Sequence, residues 1–441
     1  MNIRLNPLLV VTFALAMLLA CGGGGSGTPP PAPPSIVMQP TSTSVNSEAN
    51  AIFMVTANGY PTPSITWDRS NDTGISWSTI NGAVTATYIL TTQLADNGAQ
   101  FRAVITNSLG TVTSLPVTLN VMPAIYAAGT CGSFINPVPA FWVNGNLVPL
   151  TQPMGSNFGA VNSLVIFGGR VYAGGYCVNI SNEQVPGYWL DGNWVGLSLP
   201  SGSNLGAINT MVVTQSDIYA AGYSGSSSSG NNPGYWLNGN WVSLSLPTGL
   251  VGGVVNSLVV SGSEIYAAGY SGNTPSIWLN GTWSGFTQPP GTMMGVIASL
   301  VVSGSNIYAG GFTGYPLSAG YWLNGTTWTG LIPLLAGSQS IVNSLVVNGS
   351  DIYAAGFNDN GVGSQPGYWL NGIWVGLALP SGATVGTVNI LVLAGNDVYA
   401  AGGVAIEPNE LPGYWFNGTW VGLTPSADST NSIVNSLVVG R

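Results

Sequence analysis

The sequence predicts an all-β chain, a small β-sandwich followed by a seven-bladed β-propeller closed by strand exchange between its ends. Three observations predict it. Segments of the type Ile-Tyr-Ala-Ala-Gly begin at Ile125, Val171, Ile218, Ile265, Ile307, Ile352 and Val398, at intervals of 46, 47, 47, 42, 45 and 46 residues. Each interval holds four short apolar runs parted by turn residues, as a propeller blade does. The first copy also lacks its leading strand, while Val434 to Val439 form a leading strand with nothing after it.

From the start of the chain, Arg4 precedes an apolar run from Leu8 to Leu19. The run is shorter than the about 20 residues a membrane span needs and suits a secretory signal over residues 1–20. Its end, Leu18-Leu19-Ala20-Cys21, resembles the lipobox of bacterial lipoproteins, whose cysteine becomes the lipidated N-terminus. The resemblance implies lipidation at Cys21. With Gly22 rather than Asp next, it implies an outer-membrane address on the periplasmic or cell-surface side. Residues 21–34 are rich in Gly and then Pro and are expected to act as a tether.

Residues 35–122 alternate in the manner of a sandwich. Phe53, Val55 and Ala57 share one face, Gly59 to Pro63 turn the chain, and Trp67 follows. Phe101, Ala103 and Ile105 share another face after Asp96-Asn97-Gly98. This pattern resembles the immunoglobulin family, with Trp67 at its core tryptophan. Val55 and Ala103 stand at the positions of the family's disulfide and Phe101 at its tyrosine corner, so apolar packing is expected to replace the bridge. The resemblance implies a spacer.

Residues 123–441 carry the repeat. Strand a reads Val-Asn-Ser-Leu-Val-Val, strand b Ile-Tyr-Ala-Ala-Gly, strand c Tyr-Trp-Leu-Asn-Gly, and strand d Trp-Val-Gly-Leu. The Asn-Gly pairs suit type I′ hairpins, which need two residues of positive φ, and set Trp236 opposite Trp241. Copy 5 has one extra residue there, Thr326 or Thr327, and copy 1 has Leu147 for the second Trp. Small residues on strand b and large ones on c and d would fill the wedge between radiating blades. The diglycines Gly174-Gly175, Gly310-Gly311 and Gly402-Gly403, with the Tyr and Trp that follow, resemble kelch-type propellers.

Composition narrows function. Only 4% of residues are charged, acids outnumber bases 14 to 5, and the chain has neither Lys nor His. Nucleic-acid binding, which needs phosphate-neutralising cations, is excluded, as is imidazole catalysis. A galactose-oxidase-like copper site lacks its His ligands, and a sialidase-like site lacks its Arg cluster. Asn358 to Gly361 lack the further acidic ligands of a calcium loop, and no metal or cofactor is expected. Glu407 and Glu410 share a loop without the marks of an acid/base pair.

Asn162, Asn209, Asn256, Asn343, Asn389 and Asn435 recur at the second position of strand a, with Ala298 as the exception. They could line a central channel and bind a polar ligand, or satisfy backbone groups near the axis. Thirteen of the fifteen Trp sit at repeated positions, which favours inter-blade packing over sugar stacking. Cys131 and Cys177 occupy equivalent sites after strand b and are open to either a disulfide or two free thiols. The expected function is a non-enzymatic surface binding or adhesion lipoprotein. A glycan or protein ligand is expected on the propeller loop face, with the lipid as the membrane contact and a monomer as the assembly. The alternatives are a carboxylate-dependent hydrolase or lyase and a structural envelope component. Loops b–c and d–a form the expected ligand face, since b–c loops vary in length and content.

Overall fold

The computed structural model describes residues 29–133, 135–226, 228, 230–427 and 429–440. Cys21 and the apolar run before it lie outside the described residues. The backbone separates into two compact units, the first ending at Val121 and the second running from Met122 onward and also taking in Asn46–Glu48. Both are built of strands.

In the first unit, Ser64–Ser70, Gln100–Asn107 and Val117–Met122 form the centre of one sheet, while Asn50–Met54 pairs with Thr87–Thr91. Strand alternation sends Phe53, Trp67, Phe101 and Ile105 into one core, each 0% exposed. The Phe53 and Phe101 rings stack at 4.7 Å, and the Trp67 indole N–H donates to Thr85 O at 2.9 Å. Val55 and Ala103 are buried in the same core, so packing does occupy the place of a bridge. One boundary moves. Ala32–Met38 is a strand paired with Thr56–Tyr60, so Ala32 to Pro34 belong to the sandwich and not to the tether. Prolines fit there because the strand lies at an edge, where missing N–H donors break little of the ladder; Asn107 Nδ2–H pins Ala32 O at 2.9 Å.

The second unit contains seven four-stranded antiparallel assemblies, numbered here as sheets 1 to 7. Sheet 4 is typical, with strand a Gly253–Ser261, b Glu264–Ser271, c Thr274–Leu279 and d Thr282–Gly285. Sheets 2 and 3 are also joined by one parallel bridge between Gln184 and Leu205. Sheet 1 draws on both ends of the repeat region. Its strand b, Ile125–Ser133, pairs with Asn136–Val143 on one side and with Ile433–Val439 on the other, from Ile125 opposite Val439 to Thr130 opposite Ile433.

Seven apolar clusters join consecutive sheets. One unites Tyr399, Ala401 and Leu423 of sheet 7 with Ala127, Trp142, Val434 and Leu437 of sheet 1. The strand-c tryptophans Trp142, Trp189, Trp236, Trp278, Trp322, Trp369 and Trp415 are all among the largest fully buried side chains. Each indole N–H also donates to a backbone carbonyl of the preceding sheet or the loop leaving it, from Trp189 to Thr151 through Trp415 to Ala378. Trp142 completes the series by donating to Thr424 O at 2.8 Å. A buried indole needs such a partner. The repeated Trp is thus both the largest apolar group at each contact and a directional tie across it.

The c–d turns have two jobs for one residue. Asn238 and Gly239 take φ of 50 and 87, as a type I′ turn requires, and Trp236 pairs with Trp241 at 4.5 Å between ring centroids. The Asn238 side-chain oxygen also accepts the Ile218 N–H at 2.8 Å, tying the turn to strand b. Asp191 fills the same role in sheet 2 with the Val171 N–H. Both needs select Asn or Asp, short acceptors that tolerate left-handed backbone. In sheet 5 the added residue is Thr326, because Leu323 pairs directly with Thr327.

Candidate functional site

The recurring strand-a asparagine is the extra residue of a β-bulge. Val255 pairs with Gly269 and Ser257 with Ala268, leaving Asn256 between them without a partner in the ladder. The same break falls at Asn162, Asn209, Ala298, Asn343, Asn389 and Asn435. A bulge bends the strand and re-aims the side chain at that point. Here it sends each amide across to the next sheet. Asn162 donates to Ile208 O, Asn209 to Val255 O, Asn256 to Ile297 O, Asn343 to Val388 O and Asn389 to Val434 O, at 2.9–3.0 Å. Asn435 donates to Val161 O at 2.9 Å. Ala298 makes no such bond. These amides therefore spend a donor on neighbouring backbone.

The bulge also accounts for the glycine that ends each strand-b motif. A β-carbon on Gly175, Gly269 or Gly311 would stand 1.9 Å from the carbonyl oxygen of the residue two before the bulge. The glycine is there because backbone occupies its side-chain space, a cause that the spacing of small residues along strand b does not reveal.

Cys131 and Cys177 are buried free thiols. Of the two readings left open, the structure has the free thiols, and the reason is geometric. Cys131 faces the cluster shared by sheets 7 and 1, and Cys177 the cluster shared by sheets 1 and 2. Equivalent positions of consecutive sheets point the same way, so the whole of sheet 1 lies between the sulfurs. The other copies place Ser224, Ser271, Thr313, Asn358 and Val404 here, all buried, so the site takes a small or medium side chain of varied polarity. Burial pushes the Cys177 thiol up to about 12.

One cleft opens among the strand ends that carry the b–c and d–a loops. It has a volume of ≈ 270 Å³ between sheets 6 and 7, with Phe357 and Ser364 on one side and Val385, Thr387, Gly403 and Glu410 on the other. Two shortened side chains create it. After the motif glycine, sheets 2 to 6 carry Tyr176, Tyr223, Tyr270, Phe312 and Phe357, but sheet 7 carries Gly403. At the start of strand c, sheet 2 has Gln184, which accepts the Tyr223 hydroxyl at 3.2 Å and fills the equivalent gap. Sheet 6 has Ser364 there.

Glu410 is the feature that sequence reasoning passed over. Its backbone is fixed by Thr430 O and the Ser432 N–H. Its carboxylate lies over Gly403, with Oε1 3.2 Å from where a β-carbon would sit. Burial raises its pKa above the ordinary carboxylate range, with no compensating partner. Glu407 is exposed in the turn before it, while Glu410 itself belongs to strand c, Asn409–Phe416, so the two do not share a loop. No group of three or more potential metal ligands occurs among the described residues.

The first unit is an immunoglobulin-type domain: the immunoglobulin domain family matches residues 33–107. Endoglucanase C of Cellulomonas fimi is 34% identical over 86 residues, which is 20% of this chain and 8% of that protein. The chain thus spans a small fraction of that relative's length. Among solved structures, a chimeric titin Z1Z2 bearing a decorin peptide is 26% identical at a TM-score of 0.16, covering 20% of this chain and 95% of the other. Sidekick-1 immunoglobulin domains 1–5 are 19% identical at a TM-score of 0.17, covering 21% of this chain and 20% of the other.

Proposed function

We propose that the seven sheets form a closed, kelch-like seven-bladed β-propeller and that the protein is a non-enzymatic surface binding or adhesion lipoprotein. In this reading a lipid on Cys21 anchors the chain to the outer membrane. The immunoglobulin-type domain acts as a spacer, and the b–c and d–a loop end of the propeller meets a glycan or protein ligand. The observation that carries the reading is the run of seven indole-to-carbonyl hydrogen bonds, which passes from sheet to sheet and returns through Trp142 to Thr424. A scaffold tied this way can hold variable loops rigidly at one end, which is where recognition concentrates. The cleft described above lies at that end, and Glu410 is the carboxylate in its lining.

The test is capture of glycans and proteins on arrays by the full chain in detergent, followed by exchange of the b–c loops 224–233 and 358–366. Loss of capture with an unchanged melting temperature supports the loop face. Capture that survives loop exchange but fails on mutation of the Asn-Gly end places recognition at the other end. Replacing Cys21 with Ser should release the protein from the membrane fraction, and retention would remove the lipoprotein part of the proposal.

A further inference from the structure

Glu410 is an ionisable group half-withdrawn from water without a counter-charge. Neither a hydrogen bond nor an ion pair reaches its carboxylate among the described residues. The chain has little with which to supply one. It contains no Lys or His, and the described arginines are already paired, Arg69 with Asp96, Arg102 with Asp68 and Arg170 with Asp191. A desolvated carboxylate without a partner is costly, and the cost is relieved when a cation arrives from outside.

The rest of the cleft fits the remainder of such a ligand. Phe357 offers an aromatic wall, which attracts cations, and Val385 and Ala405 offer apolar surface for a methylene stem. Thr387 and Ser364 add hydroxyls. The volume of ≈ 270 Å³ falls just under the about 300–1,000 Å³ of pockets for drug-sized molecules. It suits one side chain or a small amine.

We propose that the cleft between sheets 6 and 7 binds an organic cation, the ammonium or guanidinium of a lysine or arginine side chain or of a diffusible amine, with Glu410 as its counter-ion. The proposal rests on the reading of the loop end as the ligand face and names the chemistry of one site on it. None of the other lining residues titrates, so the pH dependence belongs to Glu410. Binding is strongest above its raised pKa and fades as the pH falls through it, because protonation removes the charge the cation needs.

The experiment is calorimetric titration of the full chain in detergent with N-acetyl-arginine amide, N-acetyl-lysine amide and cadaverine, with N-acetyl-citrulline amide as the uncharged counterpart. The expected result is saturable one-to-one binding of the cations, with the citrulline compound at least about tenfold weaker. Glu410→Gln removes the charge and keeps the shape. Gly403→Tyr fills the cleft with the residue found at the equivalent site of sheets 2 to 4. Each should weaken cation binding at least about tenfold with the melting temperature in place. Tighter binding of the blocked amino acids than of cadaverine identifies a protein side chain as the source; the reverse identifies a free amine. Absence of saturable cation binding to the folded wild type, equal binding of the citrulline compound, or unchanged binding by Glu410→Gln overturns the proposal. The broader reading is judged separately: array capture that is lost on loop exchange but untouched by Glu410→Gln leaves the loop face standing and removes the cation site.

Discussion

Replacing Gly269 with alanine should destabilise the second unit, the opposite of what strand propensity gives. Glycine inside a strand is about 0.5–1 kcal/mol worse than alanine, so propensity alone favours the change. Here, however, the new β-carbon would stand 1.9 Å from Val254 O, where real β-carbons keep 3.0 Å or more. The shortfall of 1.1 Å (3.0 less 1.9) lies between side-chain carbon and backbone, so no rotamer change relieves it. Overpacking of this kind costs about 1–3 kcal/mol. The shifted bulge would also misaim Asn256, whose amide donates to Ile297 O at 2.9 Å. Losing that bond adds about 0.5–1.5 kcal/mol, and less the propensity gain of about 0.5–1 kcal/mol the net cost is about 0.5–4 kcal/mol.

The assay is urea unfolding of the full chain followed by tryptophan fluorescence, which reports mainly on the second unit because it holds thirteen of the fifteen Trp. The curve is fitted as two transitions, since a chain with two units need not unfold in one step. Gly281→Ala is the control. Its surroundings are open but its φ is 84, so its cost of about 1–2 kcal/mol is purely conformational. A midpoint for Gly269→Ala at or above that of the wild type would refute the clash.

Ala298→Asn should supply the absent inter-sheet donor, with Val342 O as acceptor, and raise the unfolding midpoint by about 0.5–1.5 kcal/mol; an unchanged or lower midpoint counts against the bulge as an aiming device. Deleting residues 434–441 removes most of the strand that pairs with Ile125–Ser133 and bares a sheet edge, so aggregation or loss of cooperative melting is expected, and a wild-type melt would contradict the pairing. Cys131 and Cys177 should resist iodoacetamide in the native protein and both react after unfolding without reductant, as buried free thiols do. Recovery of neither thiol from unfolded, unreduced protein would reinstate the bridge.

The elements were legible because the repeat writes them several times over. Asn-Gly turns, opposed Trp pairs and the spare strand at Val434 each follow from local chemistry that a single strand can express. The bulge was not legible. It depends on which residues face each other, and Asn256 reads like any strand residue until Val255 and Ser257 are seen to straddle it. The first strand was misjudged for a similar reason: Pro33 and Pro34 look like spacer, and only pairing with the strand ending at Tyr60 makes them part of a sheet. Glu410 was seen beside Glu407 and set aside, because its significance comes from two short residues, Ser364 and Gly403, one of them on another sheet.

Departures from the repeat separate by whether something compensates them. In sheet 1, Leu147 replaces the strand-d Trp, and Ala140 stands opposite where other sheets have glycine, so volume is restored. In sheets 2 and 3 a β-carbon on that glycine, Gly187 or Gly234, would lie 2.4 Å from the Trp ring. In sheet 4 the glycine becomes Ser276, and its hydroxyl accepts the Trp283 indole N–H at 3.0 Å. Such changes keep the packing closed and call for no further cause. At sheets 6 and 7, two contact residues shorten together, a space of ≈ 270 Å³ stays open, and a carboxylate is placed beside it without a donor. Nothing within the described residues balances these three changes. Sequences depart from consistency with their fold where function intervenes, and that reasoning makes the cleft, rather than the asparagines, the place to look for the ligand.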